Sequence, residues 1–216
     1  MKRRELIQRI AEYVQSQAMP HPVRVGIDGV DAAGKTYLAD ELAKAIQEQK
    51  VIRASIDGFH NPREVRYQQG QLSPEGYYYD SFNNQQFAEV LLKPLGSEGD
   101  LKYRTAVYDY RTNSPVDVPE KTASPEDILI VDGIFLFRPE LKDYWDIKIF
   151  VDVPFSVTVP RAIKRDADGN EEATRMHYEK RYVAGQQLYF QDAQPKEQAD
   201  IVIDNTDFNN PSFTKR

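Results

Sequence analysis

Apolar strands alternating with amphipathic helices along this 216-residue chain predict an α/β fold with a doubly wound, mainly parallel sheet. Three stretches carry the prediction. Val23-Arg24-Val25-Gly26-Ile27 is a short apolar segment that runs into a glycine loop and then a helical pattern with Leu38, Leu42 and Ile46 on one face. Ile128-Leu129-Ile130-Val131 is a continuous apolar run stopping at Asp132-Gly133, the sign of a strand buried on both faces. Residues 155–190 read as helical but interrupted, with the break at Asp166-Ala167-Asp168-Gly169-Asn170.

The remaining elements fall into place around these. Leu6, Ile10 and Val14 at helical spacing make residues 3–16 an amphipathic helix, closed by Pro20 and Pro22. Residues 51–56 form a second strand ending at Asp57-Gly58. A polar, tyrosine-rich segment from Phe59 to Asn83 follows, longer than an ordinary connection and therefore a candidate for function. Phe87, Val90 and Leu91 restore helical spacing up to Pro94 and Gly96. Residues 101–118 read as a hairpin with turn chemistry at Arg111-Thr112-Asn113-Ser114-Pro115. Strands at 145–153 and 199–204 complete the sheet. No repeat or interdomain linker interrupts the chain, so residues 1–216 read as one domain.

Composition narrows the function. A net charge of −6 disfavours broad nucleic-acid binding, although a local phosphate site is compatible with it. Without cysteine, disulfides and thiolate metal sites are excluded. Lys2-Arg3-Arg4 lacks the apolar stretch of a signal peptide, and no run is long enough to span a membrane; a cytoplasmic protein is expected.

The glycine loop is the most specific feature. Gly29-Val30-Asp31-Ala32-Ala33-Gly34-Lys35-Thr36 spells G-x-x-x-x-G-K-[ST] between a strand and a helix, which predicts a P-loop NTPase fold. Its glycines let successive N–H groups and the helix start face phosphate oxygens. Gly29, Asp31, Ala32, Ala33, Gly34, Lys35, Thr36 and Tyr37 are the expected nucleotide-binding set, with ATP and Mg²⁺ as ligands. Lys35 is placed to reach the β- and γ-phosphates, and the Thr36 hydroxyl to ligate Mg²⁺. Asp132, ending the apolar run, is the second metal candidate, through water or Thr36; Asp-Gly turn chemistry is the alternative. Asp57 ends the second strand at the same sheet edge. It is either a proton acceptor or metal-water holder, or a turn residue before Gly58.

Taken in order, the loop, Ser55-Ile56-Asp57-Gly58-Phe59-His60, Tyr79-Asp80-Ser81-Phe82, Val131-Asp132-Gly133-Ile134 and residues 199–203 resemble the uridine kinase and phosphoribulokinase group of P-loop kinases, from about Val23 to Phe208. The resemblance implies that Asp57 is the general base and that Asp80, beside Tyr79, contacts the acceptor. It places Tyr108 of Tyr108-Asp109 in a nucleoside pocket, with Arg111 as the nearest polar substitute for an expected histidine. Arg161 and Arg165 resemble lid arginines, which makes residues 155–190 a helical lid. Four apart, they share a helix face and are able to clamp transferred phosphate; a solvated face paired with Asp166, Asp168, Glu171 and Glu172 is the alternative. His60 is a candidate acceptor or phosphate contact, and Tyr67, Tyr77, Tyr78 and Tyr79 either stack on the acceptor or anchor the loop. The chain departs from the family where Asp132-Gly133 stands for Glu-Gly and where Tyr77-Tyr78-Tyr79-Asp80 replaces a His-Pro-Asp-Ala type run.

The expected activity is transfer of the ATP γ-phosphoryl group to a hydroxyl of a small molecule, first a nucleoside, with pantothenate- or glycerate-like alcohols as the alternative. A nucleotide-hydrolysing switch is a different class; no Asn-Lys-x-Asp guanine tetrad supports it. The expected partner is the small-molecule acceptor, neither nucleic acid nor membrane, with homo-oligomerisation left open.

Overall fold

A computed structural model describes residues 2–167 and 169–215. Asp168, one of the carboxylates weighed as a partner for Arg161 and Arg165, lies outside the described residues. The apolar runs become the sheet: β1 (Val23–Gly29), β2 (Val51–Ser55), β3 (Ile128–Asp132), β4 (Ile147–Asp152), β5 (Ile201–Asp204) and β6 (Ser212–Lys215). Their order is β6-β5-β4-β1-β3-β2, with every pairing parallel except the β5–β6 edge. The antiparallel β6 is an addition that the sequence pattern did not announce.

Side-chain alternation sorts the core into two layers. Ile128 and Ile130 pack with Leu6, Ile10 and Val14 of α1 (Arg3–Gln15) and with Leu38 and Leu42 of α2 (Lys35–Ala45). Leu129 and Val131 face the opposite layer, where Phe59, Phe87, Phe135 and Tyr189 gather. The β1 and β3 strands are buried at every residue, whereas β2, at the edge, alternates. That is why 128–131 reads as an unbroken apolar run.

The segment between Phe59 and Asn83 is more ordered than a long loop. A 3₁₀ turn (Ile56–Phe59) leads into it, and it holds α3 (Arg63–Arg66) and α4 (Pro74–Asp80), the last capped by the Ser73 hydroxyl accepting from the Gly76 N–H. The 101–118 region contains the expected turn: Tyr108–Asp109 pairs antiparallel with Ser114–Pro115. The interrupted helical region resolves into α5 (Phe155–Asp166), α6 (Glu171–His177), a π-turn (Tyr178–Val183) and α7 (Ala184–Ala193). Asn170 starts α6 by accepting from the Ala173 N–H, so the break falls where Asp-Gly-Asn chemistry put it. No helix among the described residues is long and apolar enough to cross a membrane.

Because neighbouring strands run parallel, their carboxyl ends share one edge. The connection after β1 runs past β3 to β2 on one side and that after β4 runs to β5 on the other, so β1 and β4 flank the switch point at which α/β sheets bind ligands. Gly29, Asp57, Asp132 and Asn205 all lie at or just past strand ends on that edge.

Candidate active site

The loop after β1 has its conformation forced by close packing. Gly29 has φ +151°, and a Cβ there would sit 2.5 Å from the Val151 carbonyl oxygen of β4. Gly34 has φ +93°, with a Cβ position 2.7 Å from Nδ2 of Asn205. Neither place admits a side chain. Below the loop, the fully buried Asp28 carboxylate accepts from the Gly29 and Leu136 N–H groups and the Tyr189 hydroxyl. Burial pushes its pKa up to about 6, against those hydrogen bonds.

No side chain caps the start of α2, so its first N–H groups are open to an anion. Lys35 Nζ curls back to donate to the Val30 carbonyl at 2.8 Å, and the Thr36 hydroxyl donates to Asp132 Oδ2 at 2.6 Å. The other Asp132 oxygen accepts from Arg53 at 2.9 Å. This chain therefore offers a phosphate cradle and, beside it, one hydroxyl and one carboxylate. Such a sparse oxygen donor set fits a divalent metal that keeps waters and takes phosphate oxygens.

Asn205, just past β5, ties the loop down from 172 residues away: its Nδ2 donates to the Ala33 carbonyl at 2.7 Å. Arg3 holds Asn205 Oδ1 at 2.9 Å and lies over the Phe208 ring at 3.9 Å, and Phe208 meets the exposed Tyr37 edge-on. Asp31, expected among the nucleotide contacts, has its N–H committed to Gln186 and its carboxylate to the Tyr77 hydroxyl at 2.8 Å and Gln186 at 3.2 Å.

Two cavities open on this edge. One, of about 590 Å³, runs along residues 31–37 to Asp132, Arg161, Asn205 and Phe208. The other, of about 440 Å³, lies under α3, α5 and the π-turn. They share Asp31, Asp57, His60, Tyr77 and Arg165, which form the junction between them. Asp57 is open to cavity water yet set deep in the concave wall. Those protein surroundings, then Asp132 and Asp31, raise its pKa to about 6, opposed by Lys35 and Arg165.

His60 lies between Phe82 and Tyr110, with tilted ring centres at 4.5 and 4.7 Å, and burial lowers its pKa to about 4. It is neutral at pH 7. Its Nδ1 lies 3.0 Å from the Asp57 carbonyl, an acceptor, which assigns the ring proton to Nδ1 and leaves Nε2 as an acceptor. Arg165 reaches the junction but is paired with Asp166 at 2.6 Å, and Arg161 donates to the Thr206 carbonyl at 2.8 Å.

Several residues expected at the acceptor site stand elsewhere. Tyr79 is half exposed against Tyr78, and Asp80 accepts from Gln69 at 2.8 Å; neither lines either of these two cavities. The helical repeat of α4 turns Tyr77 inward and sends Tyr79 out. Tyr108 bonds Asn113 within its own turn, and Tyr110, Arg111 and Asn113 face the cavity instead. Sequence reasoning passed over Arg63, Arg66, Arg181 and Gln186; only the three-residue spacing of Arg63 and Arg66 hinted at a shared face.

A profile of the Phosphoribulokinase / Uridine kinase family matches residues 24–209. The chain is 27% identical over 186 residues to a uridine kinase of Leuconostoc citreum, covering 84% of this chain and 87% of that protein. It is 28% identical over 208 residues to uridine kinase-like protein 3 of Arabidopsis thaliana, covering 90% of this chain but only 42% of the plant protein, so it spans under half that relative's length. The fold superposes on a structure described as a possible uridine kinase from Bacillus stearothermophilus with a TM-score of 0.73 at 22% identity, covering 92% of this chain and 97% of the other. The chain belongs to the phosphoribulokinase/uridine kinase family, and as such is an ATP-dependent small-molecule kinase.

Proposed function

We propose that the protein moves the γ-phosphoryl group of ATP, bound as its Mg²⁺ complex, onto a hydroxyl of a small molecule, and that nucleosides are the first acceptors to test. The observation that carries this reading is the junction: the loop-lined cavity and the second cavity meet at Asp57. ATP with its metal supplies the phosphoryl group and part of the charge neutralisation. The N–H groups at the start of α2 bind phosphate oxygens, Lys35 adds a positive charge there, and Thr36 with Asp132 holds the metal. Asp57 accepts the proton of the incoming hydroxyl; with its pKa at about 6 it is anionic at neutral pH and still basic enough to act. Arg165 sits at the junction to stabilise charge on the phosphoryl group, and Arg161 extends the same helix face along the first cavity.

The relatives' names and the aromatic lining of the second cavity, Tyr67, Tyr77, Tyr110 and Tyr182, support a nucleoside. The arginines of that cavity favour a second reading, a small hydroxy acid such as glycerate or pantothenate. ADP release measured with a panel of nucleosides and of these alcohols decides between them. Nucleoside-dependent release supports the first reading, release only with a hydroxy acid the second, and acceptor-independent hydrolysis defeats both.

A further inference from the structure

The charge of the second cavity is divided along its length. Its shared end carries Asp31 and Asp57, while Arg63, Arg66, Arg111 and Arg181 line only the part away from the nucleotide cavity. Arg165 and Asp166 pair with each other and cancel. Three of the arginines form a cluster. The guanidinium carbons of Arg63, Arg66 and Arg181 lie 5.9, 5.6 and 4.6 Å from the centre of one ring, Tyr67. None of the three has a carboxylate partner among the described residues.

Arg181 is the least expected of them. It is 2% exposed, and its Nη groups donate to the carbonyls of Arg66, Gly70 and Ser73. The Nε atoms of both Arg181 and Arg66 are buried with no hydrogen-bond partner among the described residues. Burial depresses the Arg181 pKa, and the neighbouring Arg66 adds to the effect, whereas the surrounding tyrosines counter it. Carbonyl dipoles and ring faces offset part of a buried guanidinium's desolvation, but a cluster of like charges with unused donors is costly without a counter-anion. Guanidiniums are also the side chains best shaped to grip carboxylate or phosphate through paired N–H groups.

We infer that the acceptor carries an anionic group, a carboxylate or a phosphate, held by Arg63, Arg66 and Arg181 around Tyr67 while its hydroxyl faces Asp57. The inference rests on the phosphoryl-transfer reading for the direction of the hydroxyl, but the anion subsite is testable apart from it. A neutral nucleoside leaves this cluster unanswered, whereas a hydroxy acid or a sugar phosphate answers it.

The test uses matched pairs that differ by the anion: ribose 5-phosphate against ribose, and D-glycerate against glycerol. Each is titrated calorimetrically into full-length protein whose phosphate loop is filled with a non-hydrolysable ATP analogue and Mg²⁺, which removes the loop as a competing anion site. The expected result is that at least one anionic member binds about tenfold or more tightly than its neutral partner, the size of one charge-assisted bidentate contact. The phosphate and carboxylate arms say which anion the subsite prefers. In the double variant R63Q/R66Q, chosen because Arg63 and Arg66 are less buried than Arg181, that preference disappears while analogue affinity holds. Equal binding within both pairs, or a preference that survives in R63Q/R66Q, overturns the inference. ADP release follows in parallel: uridine turnover with kcat/KM untouched by R63Q/R66Q also overturns it but leaves phosphoryl transfer standing. An anionic preference in binding without ADP release from any acceptor keeps the subsite and removes the transfer reading.

Discussion

The two cavities meeting at Asp57 are built in opposite ways. On the nucleotide side the phosphate-facing wall comes from one strand end, one loop and one helix start, with Gly29 fixed by the adjacent strand and Gly34 by the distant Asn205. The acceptor side is assembled from α3, α4, the turn at 110–113, α5 and the π-turn, which approach one another only in the folded chain. A site made from one short segment is specified by local chemistry and serves one ligand feature, the phosphate chain. A site made from several arms is free to change its ligand by changing any arm. The difference explains why the nucleotide is readable here and the acceptor is not named by the same residues.

The contrast is sharpest at Lys35. Lys35→Ala is expected to lower turnover by about 10³-fold or more at saturating ATP, measured as ADP release, because one fixed cation at the phosphates is lost. Asp57→Asn, at the junction, is expected to cost about 10²-fold or more in turnover with nucleotide affinity nearly unchanged by calorimetry. Full activity in that variant would remove Asp57 from the base role. Asn205→Ala tests whether the nucleotide side is as local as it looks. It removes the clamp on the Ala33 carbonyl and the acceptor of Arg3, and about 1–3 kcal/mol of stability and several-fold in ATP affinity are expected to go with it. ATP affinity that stays unchanged in Asn205→Ala would show that the loop does not need this distant clamp.

The smallest effect is in pH. With the Asp57 pKa at about 6, kcat/KM is expected to fall below pH 6 as the carboxylate takes a proton and ceases to be a base. Asp31 is one of the negative neighbours that raise this value, after burial and Asp132, so Asp31→Asn is expected to move the acidic limb to lower pH. A limb that stays in place would assign it to another group.

How much of this was legible follows the same division. The loop, the strand at 128–132 and the break near Asn170 were readable because each rests on a short-range rule: glycine at positive φ, burial on both faces, an Asn cap. Tyr79, Asp80 and Tyr108 were singled out by the order of residues in a family pattern, yet the face a residue presents depends on helix phase and turn geometry. Two steps along α4 exchange Tyr79 for Tyr77, a cavity wall, and two steps along the 108–115 turn exchange Tyr108 for Tyr110. Gln186 gave no signal, and nothing in the sequence around Asn205 pointed to its hold on the loop, since an amide bonds a loop carbonyl or carboxylate far away in sequence only once the chain is folded.

The sequence by itself determined that this chain folds around a parallel sheet and presents a phosphate-binding loop, because strand burial and glycine conformations are set by neighbouring residues. Only the tertiary structure decided what stands opposite that loop. It set Asp57 between two cavities, tuned its acidity through burial and then Asp132 and Asp31, and drew Arg63, Arg66 and Arg181 around one tyrosine ring. Charges that lie up to 118 positions apart along the chain act on one another only through distance in space, which only the folded structure fixes.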